Sequence, residues 1–250
     1  MQSQIAGYDV VEQLSRGAYS HVYRAVHPEN GHRVVIKTSA SDYASESDVT
    51  RLRQEFELLN SVRHPGVVRA LALVAYGNGL ALVIEQAPGE PLSRLIDGKP
   101  MGLRDFLTLA VGVSESLAAV HDADLIHRDI NPSNIVVHMG TLTTWLVDFN
   151  IATYLPRESV ATRNPDAIAG TLPYIAPEQT GRLNRAVDHR ADLYSLGATF
   201  YEMLTGAPPF LALDPLELIH HHIARVPSAP SRINSNVPEE IGRASCRERV

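Results

Sequence analysis

The residues whose types and spacing could carry chemistry lie in two short pieces. One is His127-Arg128-Asp129-Ile130-Asn131-Pro132-Ser133-Asn134; the other, fourteen residues after Asn134, is Asp148-Phe149-Asn150. Two carboxylates and an amide delivered on strand-loop-strand pieces are what a phosphoryl-transfer site requires to hold Mg²⁺ and aim a hydroxyl. Apolar runs flank both pieces: Leu125-Ile126 ahead of the first, Ile135-Val136-Val137 behind it, and Trp145-Leu146-Val147 ahead of the second. Such runs predict short buried strands with polar residues at their exits. Asp129, Asn134 and Asp148 are therefore expected to converge on one metal site.

The elements that must position them follow from periodicity. Residues 8–14 and 21–26 alternate polar and apolar like two half-buried strands joined by Ser15-Arg16-Gly17-Ala18-Tyr19-Ser20. A third strand, Arg33-Val34-Val35-Ile36-Lys37, carries a lysine inside an apolar run. That lysine must end on a negative group, because an isolated buried ammonium is too costly. Residues 45–62 place Leu52, Phe56 and Leu59 at helical spacing, with Glu46 and Asp48 near the start, where the helix dipole favours anions. Glu55 lies close enough to that face to reach inward. Strands over 67–75 and 80–84 are joined by Tyr76-Gly77-Asn78-Gly79, a hairpin signal. Helices are predicted over 91–96 and over 103–121, the second with Phe106, Leu107, Ala110, Val113, Leu117 and Val120 on its apolar face. The stretch 188–206 is apolar nearly all round and hence a buried helix, and 215–224 is a further amphipathic one. His220-His221-His222 cannot share one helix face, which argues against a metal site there.

Composition limits the classes open to the chain. Its 250 residues, 44% hydrophobic and 20% charged, suffice to bury a real core. The net charge of −6 provides no basic footprint for nucleic acid. No stretch approaches the roughly 20 apolar residues that span a bilayer, and no leader pattern opens the chain. A cytoplasmic location with no membrane segment is the resulting expectation. Cys246 is the only cysteine, so no internal disulfide forms.

The two chemical pieces resemble the catalytic loop (H-R-D-x-x-x-x-N) and metal-binding motif (D-F-G) of protein kinases, serine/threonine type. Further matches run in the same order. Ser15, Gly17, Ser20 and Val22 resemble the glycine-rich nucleotide loop with only its middle glycine kept. Val34-Val35-Ile36-Lys37 resembles V-A-I-K, and Gly170-Thr171-Leu172-Pro173-Tyr174-Ile175-Ala176-Pro177-Glu178 resembles the end of an activation segment. Glu55, nine residues before His64-Pro65, is similar to the family's helix glutamate. The resemblance implies an α+β bilobal fold with a five-stranded antiparallel N-lobe sheet, one N-lobe helix and a mainly helical C-lobe. The implied boundaries are 1–86 for the N-lobe and 87–239 for a C-lobe lacking its final helices.

It also implies ATP and Mg²⁺ as cofactors and a protein substrate. Catalytic residues would be Asp129, Asn131, Lys37 and Glu55, with Asn134 and Asp148 on the metal. Leu14, Gly17, Val22, Val35, Lys37, Ile84, Glu85, Ala87 and Val136 would hold the nucleotide, Ile84 as gatekeeper, the Glu85 carbonyl and Ala87 amide facing the base. Arg128, Phe149, Thr162, Thr171, Glu178 and Asp192 take regulatory or supporting roles. Thr162, then Ser159, is the expected phosphate acceptor opposite Arg128. Thr171 is expected to bond Asp129, Phe149 to pack on His127 and Leu59, and Asp192 to sit beneath the amides of the catalytic loop.

The departures matter as much. Asn131 stands where these kinases usually place a lysine, and it donates a hydrogen bond without bringing charge. Loss of one preorganised donor costs roughly 2.7–4 kcal/mol, about two to three decades in rate. Asn150 stands where the D-F-G glycine would, and asparagine tolerates the positive φ expected there. The family's later arginine that pairs with the glutamate at position 178 finds no match. His-Arg-Asp-Ile-Asn-Pro-Ser-Asn, Asp-Phe-Asn-Ile-Ala and Glu-Gln-Thr-Gly-Arg-Leu-Asn-Arg are most similar to the N-terminal kinase domain of large bacterial hybrid proteins that continue into NTPase, GAF and histidine-kinase regions. That likeness covers residues 8 to about 239 and implies further signalling domains. Residues 241–250 resemble a translated sequencing adapter, so 240–250 is set aside as a non-native tail. The altered glycine loop and Asn131 leave a pseudokinase or nucleotide-binding scaffold as an alternative. A small-molecule phosphotransferase is a further one, opposed by the Ala-Pro-Glu segment and the helix bearing Asp192.

Overall fold

Alternation along the first strands sorts their side chains onto two faces. Ala25, Val34, Ile36, Ala81 and Val83 are buried together with Ile5. Val22 pairs with Lys37, and Val35 with Ile84, so these four occupy the opposite face. The computed structural model describes residues 4–17, 19–41, 43–155, 169–183 and 185–244. The chain divides into two units, residues 1–88 and 89–250.

The first unit holds β1 (Gln4–Ile5), β2 (Tyr8–Arg16), β3 (Ser20–Val26), β4 (Arg33–Ser39), β5 (Ala70–Tyr76) and β6 (Gly79–Glu85) in one sheet of order β1-β2-β3-β4-β6-β5. Every neighbouring pair is antiparallel. Six strands replace the expected five because Ala6 and Gly7, at φ 53° and 85°, turn the chain back and let Gln4 and Ile5 pair with Asp9 and Tyr8. Two residues carry no periodicity that could announce a strand. Leu14 sits in a register shift between β2 and β3. The strand expected from position 67 begins at Ala70, although Val67 and Val68 are buried ahead of it.

Helix α1 (Glu46–Ser61) packs on β4, β5 and β6 through Leu52, Glu55, Leu58 and Leu59, the three- and four-residue spacing of one face. Ser45 and Asp48 close a reciprocal capping box at its start: the Asp48 N–H donates to Ser45 Oγ at 3.2 Å and the Ser45 N–H to Asp48 Oδ2 at 3.0 Å. The Ser45 hydroxyl and amide hold the Asp48 carboxyl below the usual carboxylate range.

The second unit opens with β7 (Glu90–Pro91) and α2 (Leu92–Ile96), then α3 (Leu103–Asp122), β8 (Leu125–Ile126), β9 (Ile135–His138), β10 (Thr143–Leu146) and β11 (Thr153–Tyr154). Its remaining helices are α4 (His189–Thr205), α5 (Pro215–Ala224), α6 (Pro230–Ile233) and α7 (Glu239–Ala244). Among the described residues two small sheets form, β10-β9-β7 and β11-β8. Helix α3 buries Phe106, Leu109, Val113, Ser116, Leu117 and Val120. The expected face therefore needs rotating. Leu107 is 45% exposed, and Leu109, three residues from Phe106 and four from Val113, takes its place. Helix α4 is buried on nearly every side, starts under the Asp188 cap and stops at Gly206, whose φ of 84° no other residue adopts cheaply. It packs on α3, Phe106 meeting Phe200 edge to face at 5.6 Å. No helix among the described residues is long and apolar enough to cross a membrane.

Candidate active site

In the first unit, the lysine that had to find an anion finds one. Lys37 Nζ lies 2.9 Å from Glu55 Oε1 and 2.8 Å from Oε2, with Lys37 4% and Glu55 2% exposed. Strand β4 sets Lys37, and the inward face of α1 sets Glu55. Val22, Val35 and Ile84 stand on the same sheet face as Lys37. Gly17 donates its N–H to Ser20 O at 2.9 Å, closing the turn between β2 and β3. The Glu85 N–H is taken by Arg69 O at 2.9 Å. Ala87 lies beyond the end of β6, and Leu14 is 40% exposed.

In the second unit, α3 delivers the chain to β8, which β11 pins from the other side through Thr153 opposite Ile126. The loop from His127 to Asn134 therefore starts from a fixed point. Its end is fixed as well: residues 132–134 form a single 3₁₀ turn running into β9, and Leu146 of β10 pairs with Ile135. The Val147 N–H donates to Asn134 O at 3.0 Å. Asn134 and Asp148 are thus carried at the same end of one hairpin.

Three donors orient the Asp129 carboxylate. Thr171 gives its N–H at 2.9 Å and its hydroxyl at 2.7 Å to Oδ1, and Asn134 Nδ2 donates to Oδ2 at 2.8 Å. Asn134 Nδ2 also donates to Asp129 O at 2.9 Å, which turns Asn134 Oδ1 away from that carboxylate. An amide oxygen and the Asp148 carboxylate form a hard-oxygen donor pair. Among the described residues no group of three or more His, Cys, Asp or Glu could hold a metal. The pair suits Mg²⁺, which takes one or two protein carboxylates and completes its shell with waters and substrate phosphates.

Beneath the loop, the fully buried Asp192 carboxylate of α4 accepts the His127 N–H at 2.8 Å and the Arg128 N–H at 2.7 Å, with His121 Nε2 at 2.9 Å. The His127 ring donates Nε2–H to Val147 O at 3.2 Å, accepts the Asp129 N–H at Nδ1, and meets the buried Phe149 ring at 4.7 Å between centroids. Arg128 has φ 70° and Asp148 φ 64°. A left-handed conformation costs a non-glycine residue roughly 1–2 kcal/mol, and strain of this kind gathers at functional sites. The positive φ expected at Asn150 lies instead at Asp148, and the Asn150 N–H donates to Asp148 Oδ1 at 3.3 Å. An acceptor two residues back satisfies the turn there, so position 150 needs no special backbone. Val136 pairs with Trp145 and Pro91.

The segment ahead of α4 gives roles to two residues that the motifs contain without assigning them any. Gln179, one residue past Glu178, donates Nε2–H to Arg128 O at 2.7 Å and accepts the Ala176 N–H at 3.2 Å. It lies within the Glu-Gln-Thr-Gly-Arg-Leu-Asn-Arg phrase that carries the resemblance, but that phrase implies no role for it. Gly170 is required here, because its φ is 124° and a Cβ would come 3.2 Å from Arg128 O. Arg190 forks onto Asp188 at 2.7 Å, and the Glu178 charge also reaches it. Thr162 and Ser159 lie outside the described residues.

Tyr174 donates its hydroxyl to Glu202 Oε2 at 2.5 Å. Burial pushes both groups up, and for Glu202 desolvation outweighs the hydrogen bond. A carboxyl whose folded pKa is raised stabilises the fold below its unfolded value and loses that contribution as pH rises through the folded one. Glu202→Gln keeps an acceptor for Tyr174 without the charge. Its melting temperature should exceed the wild type's at pH 7–8, the gap closing as pH falls toward the ordinary glutamate range. A gap independent of pH in thermal scans would remove this explanation.

Residues 8–246 match the family profile described as "Protein kinase domain". The chain is 32% identical over 240 residues to the DNA damage-responsive serine/threonine-protein kinase RqkA of Deinococcus radiodurans, covering 94% of this chain and 35% of that one. It is 30% identical over 240 residues to a probable serine/threonine-protein kinase of Streptomyces coelicolor, with 94% and 35% covered. To the serine/threonine-protein kinase PknF of Mycobacterium tuberculosis it is 31% identical over 244 residues, with 95% and 50% covered. The chain thus spans between about a third and a half of the length of these relatives.

Proposed function

The chain belongs to the protein kinase domain family, and from that premise we propose that it transfers the γ-phosphoryl group of ATP to serine and threonine hydroxyls of protein substrates in bacterial signalling. The observation that carries this reading is the Asp129 carboxylate, fixed by Thr171 and Asn134 at the mouth of a loop whose backbone Asp192 holds from below. Asp129 accepts the proton of the attacked hydroxyl and aims its oxygen. Asn134 Oδ1 and the Asp148 carboxylate would hold Mg²⁺, which would supply positive charge to offset that of the nucleotide phosphates. Lys37, kept in place by Glu55, takes the phosphates. Val22, Val35, Ile84 and Val136 supply apolar contacts to the base, together with Leu14 and the backbone of Gly17, Glu85 and Ala87. Phosphorylation at Thr162 opposite Arg128 is the regulatory part of the same proposal, as is a cytoplasmic signalling chain with further domains.

A second reading, a nucleotide-binding scaffold with little turnover, draws support from Asn131. Its amide is 2% exposed and engaged by the chain itself, so no charged side chain stands at that position. Incubation with γ-³²P-ATP, Mg²⁺ and protein acceptors, followed by phosphoamino-acid analysis, tests the choice. Label is expected in phosphoserine and phosphothreonine. ATP bound with no label transferred would favour the scaffold, and label on a small-molecule acceptor alone would favour neither.

A further inference from the structure

We propose that Asn131 and Gln179 are positioning residues for phosphoryl transfer, two uncharged amides that clamp the segment around Gly170 and Thr171 to the backbone on either side of Asp129. The inference rests on the kinase reading and assigns to position 131 a task other than contact with the transferred phosphoryl group.

The geometry is symmetrical about the peptide that carries the catalytic carboxylate. Asn131 Nδ2 donates to Asp129 O at 3.1 Å and to Thr171 Oγ1 at 3.2 Å. Gln179 Nε2 donates to the preceding carbonyl, Arg128 O, at 2.7 Å and to Ala169 O at 3.4 Å. Each amide therefore grips one of two successive carbonyls of the catalytic loop with one proton and the incoming segment with the other. Their oxygens are engaged as well. Asn131 Oδ1 accepts the Ser133 N–H at 2.9 Å and caps the 3₁₀ turn leading to Asn134, while Gln179 Oε1 accepts the Ala176 N–H at 3.2 Å. Asn131 is 2% and Gln179 6% exposed.

Buried amides with both ends satisfied hold a geometry rather than reach for a ligand. What they hold is decisive. Thr171, the target of Asn131, supplies two of the three donors that orient Asp129. Arg128, the target of Gln179, sits at φ 70° and its N–H is fixed from the opposite side by Asp192. The left-handed residue is thus held at both its N–H and its C=O, and a lysine at position 131 would leave the Ser133 N–H without its acceptor.

The experiment measures kcat, KM for ATP and melting temperature in the wild type, Asn131→Asp, Gln179→Glu and the double variant. Both substitutions keep the oxygen that accepts a backbone N–H and remove the donation, so the turns they cap are retained. On folded protein each single variant is expected to lower kcat about 10- to 100-fold, since misplacement by about an ångström costs on that order, with KM for ATP within about threefold. The double variant should fall less than the product of the singles, because both amides act on the placement of one residue, Asp129, through the carbonyls on either side of its Cα. Unchanged kcat in folded single variants, a raised ATP KM with kcat kept, or strictly multiplicative losses would each overturn the clamp. A wild type without Asp129-dependent turnover overturns the kinase reading itself, and the clamp with it.

Discussion

Asp129→Ala should lower kcat for phosphoryl transfer by about 10²- to 10⁴-fold, the range a positioned general base supplies, while ATP remains bound. The expectation follows from how the carboxylate is held. Its two oxygens accept from Thr171 N, Thr171 Oγ1 and Asn134 Nδ2, so its orientation is set before any substrate arrives. Alanine also strands those three donors, and part of any loss would be structural. Asp129→Asn separates the two effects, since it keeps the volume and one acceptor oxygen but offers no base. Both variants should show the same large fall in kcat in steady-state assays, with only the alanine variant melting appreciably lower. Turnover within tenfold of the wild type in Asp129→Asn would mean that the proton leaves by another route.

Lys37→Met and Glu55→Leu, made singly, should each destabilise the protein by about 3–5 kcal/mol, because removing one member of a buried pair leaves an uncompensated charge. The pair is buried enough for this figure, with side chains 5% and 1% exposed. Made together, the two substitutions replace an ion pair by apolar groups of similar volume, and such exchanges are often neutral or stabilising. The double variant should therefore recover most of the lost stability in urea titrations while transferring no phosphoryl group, since Lys37 is absent. Additive losses in the double variant would show that the two side chains are held by other contacts. Retained turnover would show that Lys37 takes no part in the reaction.

Much of the site was legible in the sequence because its parts ride on strands and helices with clear periodicity. Lys37 stood inside an apolar run, which demanded a partner, and Glu55 stood beside the inward leucines of a helix, which supplied one. The flanking runs at 125–126, 135–137 and 145–147 placed Asp129, Asn134 and Asp148 at strand exits. Less was legible where backbone conformation or a long-range side-chain contact decided. Asn131 reads as a donor without charge, but a sequence does not show that both protons and the oxygen of its amide are already engaged. Gln179 has no periodic signal, since its partners, Arg128 O and Ala169 O, are backbone atoms that any sequence would offer. The resemblance to D-F-G places the positive φ at Asn150, and it lies instead at Asp148. In α3, Leu107 and Leu109 are the same residue type two positions apart, and packing on the rest of the unit, rather than hydrophobicity, chooses between them.

The most direct measurement is γ-³²P transfer to a protein acceptor at saturating ATP as Mg²⁺ is titrated, run in parallel on the wild type, Asp129→Asn and Asp148→Ala. Expected are Mg²⁺-dependent label on serine and threonine in the wild type, a collapse of label in Asp129→Asn with ATP still bound, and in Asp148→Ala a loss of Mg²⁺-dependent turnover that excess Mg²⁺ only partly restores. Equal labelling by all three proteins, or ATP binding by the wild type with no label at any Mg²⁺ concentration, would contradict it.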